Sequence, residues 1–240
     1  MAIMIQVVYT PSWFYGKDIL IDTVSIFVLL LIAFFSLNYY KVDRKNKNYL
    51  HLAISFFLIT LSFLFRILTN FTIYYKVFET KQLGLFTLTY QVIKSTGTLF
   101  FIGFLLHRTL MLLGLYMLYS IYQKNQSKSN ILIISYLIII STYFSQSAYY
   151  IFHVTSLILL LLITAQYYKN YTRNKNPTTK LLATSFVMIT ISQIFFMFVE
   201  INNLLYVVAE LIQLLGYVIL LFTFIKVLQN AKKKKQARHN

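Results

Sequence analysis

Residues 19–40 read ILIDTVSIFVLLLIAFFSLNYY and stop abruptly at Lys41-Val42-Asp43-Arg44-Lys45. At about 1.5 Å per residue, a helix of this length crosses the roughly 30 Å hydrocarbon layer of a bilayer. The basic cluster that ends it marks a cytoplasmic face, because Lys and Arg collect on that side of multi-pass proteins. The same alternation governs the rest of the chain. Of 22 Lys and Arg residues, four fall in 41–47, two in 124–128, four in 169–180 and six in 226–238. Apolar runs lie between those stretches. Asp18, Asp22, Glu79, Glu200 and Glu210 sit toward the opposite ends of the runs, and only Asp43 shares a basic stretch.

These runs predict an all-α integral membrane protein: one seven-transmembrane-helix bundle over residues 1–228, amino terminus outside and carboxyl terminus cytoplasmic. Its spans lie at about 19–40, 49–74, 98–122, 131–148, 149–168, 180–199 and 204–228. The stretch 131–168 is basic at both ends and too long for one crossing, so it requires a tight outer turn near Gln146–Tyr150. Residues 229–240 form a basic cytoplasmic tail, with Lys232-Lys233-Lys234-Lys235, too short to fold. The expected location is the cell membrane. No cleaved leader is expected, since the first 18 residues lack a basic start. Trp13, Phe14 and Tyr15 read as an interfacial aromatic belt or as part of a disordered tail. The alternation in Leu85-Phe86-Thr87-Leu88-Thr89-Tyr90 suggests a short outer hairpin or an interfacial segment.

Composition narrows the function. At 58% hydrophobic and mean hydropathy +0.67, the chain has too little polar surface for a soluble globule. Its net charge of +16 is segregated to helix ends. That pattern argues against nucleic acid and for anionic lipid head groups as partners, beside a partner protein or a homo-oligomer. There is no cysteine, hence no disulfide or thiolate site. HExxH and GxSxG patterns are absent, so no catalytic or metal-ligating residue is assigned and an enzyme is disfavoured. Pro11 and Pro177 lie outside the spans. Continuous helices lower the transporter reading, because transporters often bind substrate at broken helices. Gly103 and Gly114 share one face of the third helix and suit close packing. No internal repeat is evident.

The polar residues within the spans form one band. Counted from the cytoplasmic ends, Asp22, Arg66 and Glu210 lie about 25–27 Å up. His107, Arg108, Gln146, His153, Gln193 and Gln213 lie about 20–23 Å up. Intramembrane ionisable groups are costly unless paired or hydrated, so these nine are the candidate ligand-binding residues. The charges balance as pairs such as Asp22 with Arg66 and Arg108 with Glu210. The expected arrangement is a cavity bounded by the second, third, fifth and seventh helices. Arg108, His107, His153 and Glu210 would form its wall, above a floor including Leu112, Leu159 and Leu220. His107 and His153 share a depth that permits a haem or metal between them, against the simpler role of hydrogen-bonded core histidines.

The order of seven helices with short loops and a hairpin after the second resembles that of microbial rhodopsins. The resemblance is architectural and covers no motif. Retinal needs a mid-membrane lysine on the seventh helix, and the only lysine of that span, Lys226, lies at its cytoplasmic end. No Schiff base and no cofactor are therefore expected. The expected function is a receptor or sensor-like protein whose outward-facing polar pocket binds a small polar or amphiphilic ligand. The alternatives, in order, are a membrane scaffold or assembly subunit, a small-molecule transporter, and a haem or metal redox protein.

Overall fold

The computed structural model describes residues 10–42, 44–74, 78–83, 86–91, 96–121, 128–146 and 148–236. A 3₁₀ turn (Ser12–Phe14) precedes α1 (Lys17–Val42) and α2 (Asn48–Tyr74). A hairpin of β1 (Phe78–Leu83) and β2 (Phe86–Gln91) pairs Phe78 with Gln91 and Leu83 with Phe86. Then follow α3 (Thr96–Ser120), α4 (Lys128–Phe144), α5 (Tyr149–Asn174), α6 (Pro177–Met197) and α7 (Leu204–Gln236). Six helices are long and apolar enough to cross a membrane. α4 is shorter: its apolar part, Ile131–Phe144, rises only about 21 Å. Ser145 and Ala148 still bond back to Ser141 and Phe144, so the chain passes from α4 to α5 in one tight turn. At the other end of the chain, α7 continues through Gln236. The Lys232–Lys235 run thus extends the last helix instead of forming an unfolded tail, as suits a residue of good helix propensity. Residues 237–240 lie outside the described residues.

α1 packs on α2, α2 on α3, α3 on α5, α5 on α6, α6 on α7, and α7 back on α1. Six helices therefore close a ring, and α4 leans on α3 and α5. The polarity is that of a protein in lipid: Leu20, Phe27, Ile139 and Phe222 are exposed, whereas Asp18, Asp22, Arg108, Glu210 and Gln213 are buried. A soluble protein could not present so much apolar surface. Most hydroxyls are answered within their own helix, Thr60 by the Phe56 carbonyl and Thr190 by that of Phe186. Of the amino-terminal aromatics, Trp13 and Tyr15 are exposed, but Phe14 turns inward against Phe196, Val199, Tyr206 and Ala209.

The chain does contain a repeat, contrary to the reading of the sequence alone. Aligning residues 46–65 with 176–195 matches Asn46, Leu52, Ala53, Ser55, Phe56, Ile59, Thr60, Ser62 and Phe65 with identical residues. The structure repeats with them. Asn46 and Asn176 each accept a bond from the backbone N–H two residues on, at 3.2 and 3.0 Å. A Cβ on Gly114 would lie 2.6 Å from Ile59 Cγ1 and 3.0 Å from the Ser55 carbonyl. A Cβ on Gly216 would lie 2.6 Å from Ile189 Cγ1 and 3.1 Å from the Ser185 carbonyl. The α2–α3 and α6–α7 pairs thus share one close-packed seam, built on a glycine as lipid-embedded helices often are. Tyr39-Tyr40-Lys41 near the end of α1 likewise recurs as Tyr167-Tyr168-Lys169 in the last third of α5. Exchange among Leu, Ile, Phe and Val on the outer faces obscures the repeat in the sequence.

Candidate functional site

The cavity inside the ring has a volume of about 140 Å³. It occupies the half of the bundle nearer Thr10, Asn70 and Phe100, away from the basic helix ends. Arg66 and Asn70 of α2, His107 and Arg108 of α3, and His153 of α5 line it. So do Gln193 of α6 and Gln213 of α7. The sixth helix therefore joins the four expected to bound it. Below, Met111, Leu115, Leu160 and Ile189 close it, while the expected floor residues Leu112, Leu159 and Leu220 are buried in the surrounding core.

Arg66 is the main strut. Its Nη1 donates to Asp22 Oδ1 at 3.2 Å. Its Nη2 donates to Tyr206 Oη at 2.7 Å and to Glu210 Oε1. The expected pairing of Asp22 with Arg66 is present, and that of Arg108 with Glu210 is not. Depth along a span says nothing about direction around the helix, and Glu210 faces Arg66. Asp22 and Glu210 are fully buried beside the guanidinium instead of lining the cavity. The rings of Phe63, Phe196 and Tyr206 lie 5.7–6.0 Å from that guanidinium, where their faces favour a cation. One turn nearer the same end, Asn70 Nδ2 donates to Asp18 Oδ2 at 3.0 Å.

Arg108 does different work. Its Nη1 donates to the Ser145 carbonyl at 2.6 Å, satisfying an acceptor at the end of α4. Its guanidinium carbon lies 3.7 Å from the Phe104 ring centre, with Tyr149 and Phe152 at 5.4 and 5.2 Å. Gln146 is exposed in the turn after α4 and outside the cavity lining.

His107 clamps α2 to α3. Its Nδ1 lies 3.0 Å from the Ser62 carbonyl and 2.8 Å from Ser62 Oγ, and Ser62 Oγ donates to the His107 carbonyl at 2.8 Å. His153 sits at the end of a chain of bonds that fixes its tautomer. Ser192 Oγ donates to the Ile189 carbonyl at 2.7 Å. With its proton committed, that hydroxyl accepts from Gln193 Nε2 at 3.3 Å. The amide then presents Oε1 to His153 Nδ1, 2.9 Å away, and Nδ1 must carry the proton. Nε2 is left as an acceptor. The Phe152 ring contacts both imidazoles, its centre 5.7 Å from that of His107 and 4.9 Å from that of His153. The described residues contain no group of three or more His, Cys, Asp or Glu that could hold a metal ion.

Three buried atoms on the cavity-lining residues have no hydrogen-bond partner: His153 Nε2, Ser156 Oγ and Gln213 Oε1. Gln213 donates only through Nε2, to Tyr217 Oη at 3.0 Å. Ser156 lies one turn beyond His153 on the same face of α5, which the spacing of three residues could have flagged. Tyr206, Tyr217, Ser62 and Asn70 are further members the sequence reading passed over. The chain matches no family model, no curated protein and no solved structure.

Proposed function

We propose that this chain is a receptor or sensor-like protein of the cell membrane that holds a small polar or amphiphilic ligand in a cavity facing outward. Its amino terminus would lie outside and its carboxyl terminus in the cytoplasm, because the basic helix ends mark the cytoplasmic face, and the cavity in the opposite half would then face outward. The observation that carries the reading is the set of unpartnered polar atoms on His153, Ser156 and Gln213. Buried polar groups without partners are rare, and three of them belong to residues that line one cavity, which suits it to polar atoms of something else. A scaffold plug would have turned them on one another, as Arg66, Tyr206 and Glu210 do. Ligand contact on α5, α6 and α7 would reach the cytoplasmic end through continuous helices.

The test is thermal unfolding of the purified full chain against a panel of small polar and amphiphilic compounds. A stabilising compound should lose its effect in Gln213→Leu and in Ser156→Leu. A panel without effect, on a protein whose three atoms prove hydrogen-bonded to one another, would return the scaffold reading to first place.

The repeat favours one second reading. Transporters are often built from repeats with the substrate between them, and this cavity lies between α2–α3 and α5–α7. A transporter must also open the floor. A Leu118→Cys variant of this cysteine-free chain would then react with a cytoplasmic thiol reagent, and in a receptor it would stay protected.

A further inference from the structure

The chemistry and size of the cavity define a narrower class of ligand than the reading above, on which this inference rests. We propose that the cavity takes a neutral, single-ring molecule that donates one O–H or N–H hydrogen bond to His153 Nε2, in the manner of a phenol or an aniline.

Size comes first. The cavity measures about 140 Å³. An apolar cavity of about 150 Å³ in another protein accepts benzene, so the space here fits one ring. The walls suit a flat apolar body: Phe100, Phe104, Phe152, Phe196 and Tyr217 line them. His153 itself lies nearly parallel to the Phe196 ring, centres 4.8 Å apart and planes at 20°. A ligand ring can meet such faces edge-on or offset.

Polarity follows from the bond chain. The Ile189 carbonyl, Ser192, Gln193 and His153 Nδ1 are linked in one direction, so His153 Nε2 offers a lone pair and no proton. Gln213 Oε1 is likewise an acceptor, one amide proton of its Nε2 being donated to Tyr217. Ser156 Oγ can donate or accept. Two fixed acceptors and one adaptable hydroxyl call for a donor. A neutral molecule suits this space, because Arg66 is answered by Asp22 and Glu210, and Arg108 is held on the Ser145 carbonyl and over the Phe104 ring.

The experiment compares 4-fluorophenol, 4-fluoroaniline and 4-fluorotoluene by fluorine NMR. Each is titrated with the purified full chain in detergent, and empty micelles supply the background. The three rings are nearly isosteric, and apolar transfer alone favours the toluene. We expect the phenol to bind about tenfold more tightly than the toluene, with the aniline between, because the toluene leaves a buried acceptor without a partner. His153→Phe keeps the ring and removes the acceptor, so it should level the three affinities. Ser156→Leu fills the space and should abolish all three. The wild-type ranking reads the hydrogen bond even if a variant does not fold. Equal affinities, or a tighter toluene, would overturn the donor requirement. Failure of every ring while another polar compound stabilises the protein would overturn the ring class and leave the cavity reading intact. If no compound of any kind binds and water alone fills the cavity, both readings fall.

Discussion

Removing the cation at Arg66 should be among the most damaging single changes in the bundle. In Arg66→Met, the apolar stem still fills its place among Phe63, Phe196 and Tyr206. The Asp22 and Glu210 carboxylates, respectively 0% and 1% exposed, would lose their shared partner. Leaving a buried charge uncompensated costs about 3–5 kcal/mol. For a chain of this size about 1 kcal/mol shifts the melting temperature by 2–4 °C, so the loss should be about 6–20 °C. Arg66→Lys should fall between, because one ammonium group cannot reproduce a planar fork that reaches Asp22, Tyr206 and Glu210. The decisive variant carries Arg66→Met with Asp22→Asn and Glu210→Gln. Taking all three charges away removes the uncompensated burial and should recover most of the loss. Scanning fluorimetry of the detergent-solubilised proteins measures each step. If Arg66→Met melts within about 2 °C of the wild type, or the triple variant melts below the single one, the group is not an ion-paired strut.

The close seams give a second test. Gly114→Ala and Gly216→Ala should each destabilise the protein by about 1–3 kcal/mol, since each new Cβ meets an isoleucine Cγ1 at 2.6 Å and the gain in helix propensity is smaller. Ile59→Ala and Ile189→Ala should relieve part of the respective clashes, the contacts with the Ser55 and Ser185 carbonyls remaining, and a neutral Gly216→Ala beside a costly Gly114→Ala would break the equivalence of the two halves. Orientation is tested by single cysteines in this cysteine-free chain. Gln82→Cys and Asn202→Cys should label with an impermeant thiol reagent on intact cells, and Asn174→Cys only after permeabilisation. Labelling of Asn174→Cys on intact cells would invert the proposed topology.

The six long helices were legible because length, hydropathy and terminal charge are one-dimensional properties. Residues 19–40 and the lysines after them needed no partner to be interpreted. The polar band was legible as depth and illegible as direction. Asp22 and Arg66 meet, but Glu210 meets the same guanidinium, and Arg108 turns to the Ser145 carbonyl. A helix places neighbours at equal depth on different faces, and only packing decides which face is inside. Gln146 was placed in the band because its depth fitted, yet it lies in an exposed turn. Ser156 was overlooked for another reason. A serine in an apolar helix ordinarily bonds the carbonyl one turn back, as Ser25 and Ser36 do here, so the spacing of three residues from His153 was the one sign the sequence held.

The repeat separates what holds the bundle together from what makes its cavity particular. Positions kept identical between the halves are seam positions: Ala53 and Ala183, Ser55 and Ser185, Ile59 and Ile189, Gly114 and Gly216, all buried where helices approach closely. Besides the exchanges on the outer faces, five positions that differ each place at least one residue on the cavity wall. Phe63 answers to Gln193 and Arg66 to Phe196 along α2 and α6. Counting from the two glycines, Arg108 answers to Glu210, Met111 to Gln213 and Leu115 to Tyr217. The second half thereby gains the Gln193 that orients His153 and the Gln213–Tyr217 pair, and the first supplies both arginines. Packing alone would be served by the same residues in both halves, since the seams are the same. The polar differences therefore gather at the cavity, and of the five buried polar atoms without partners among the described residues, three belong to residues that line it.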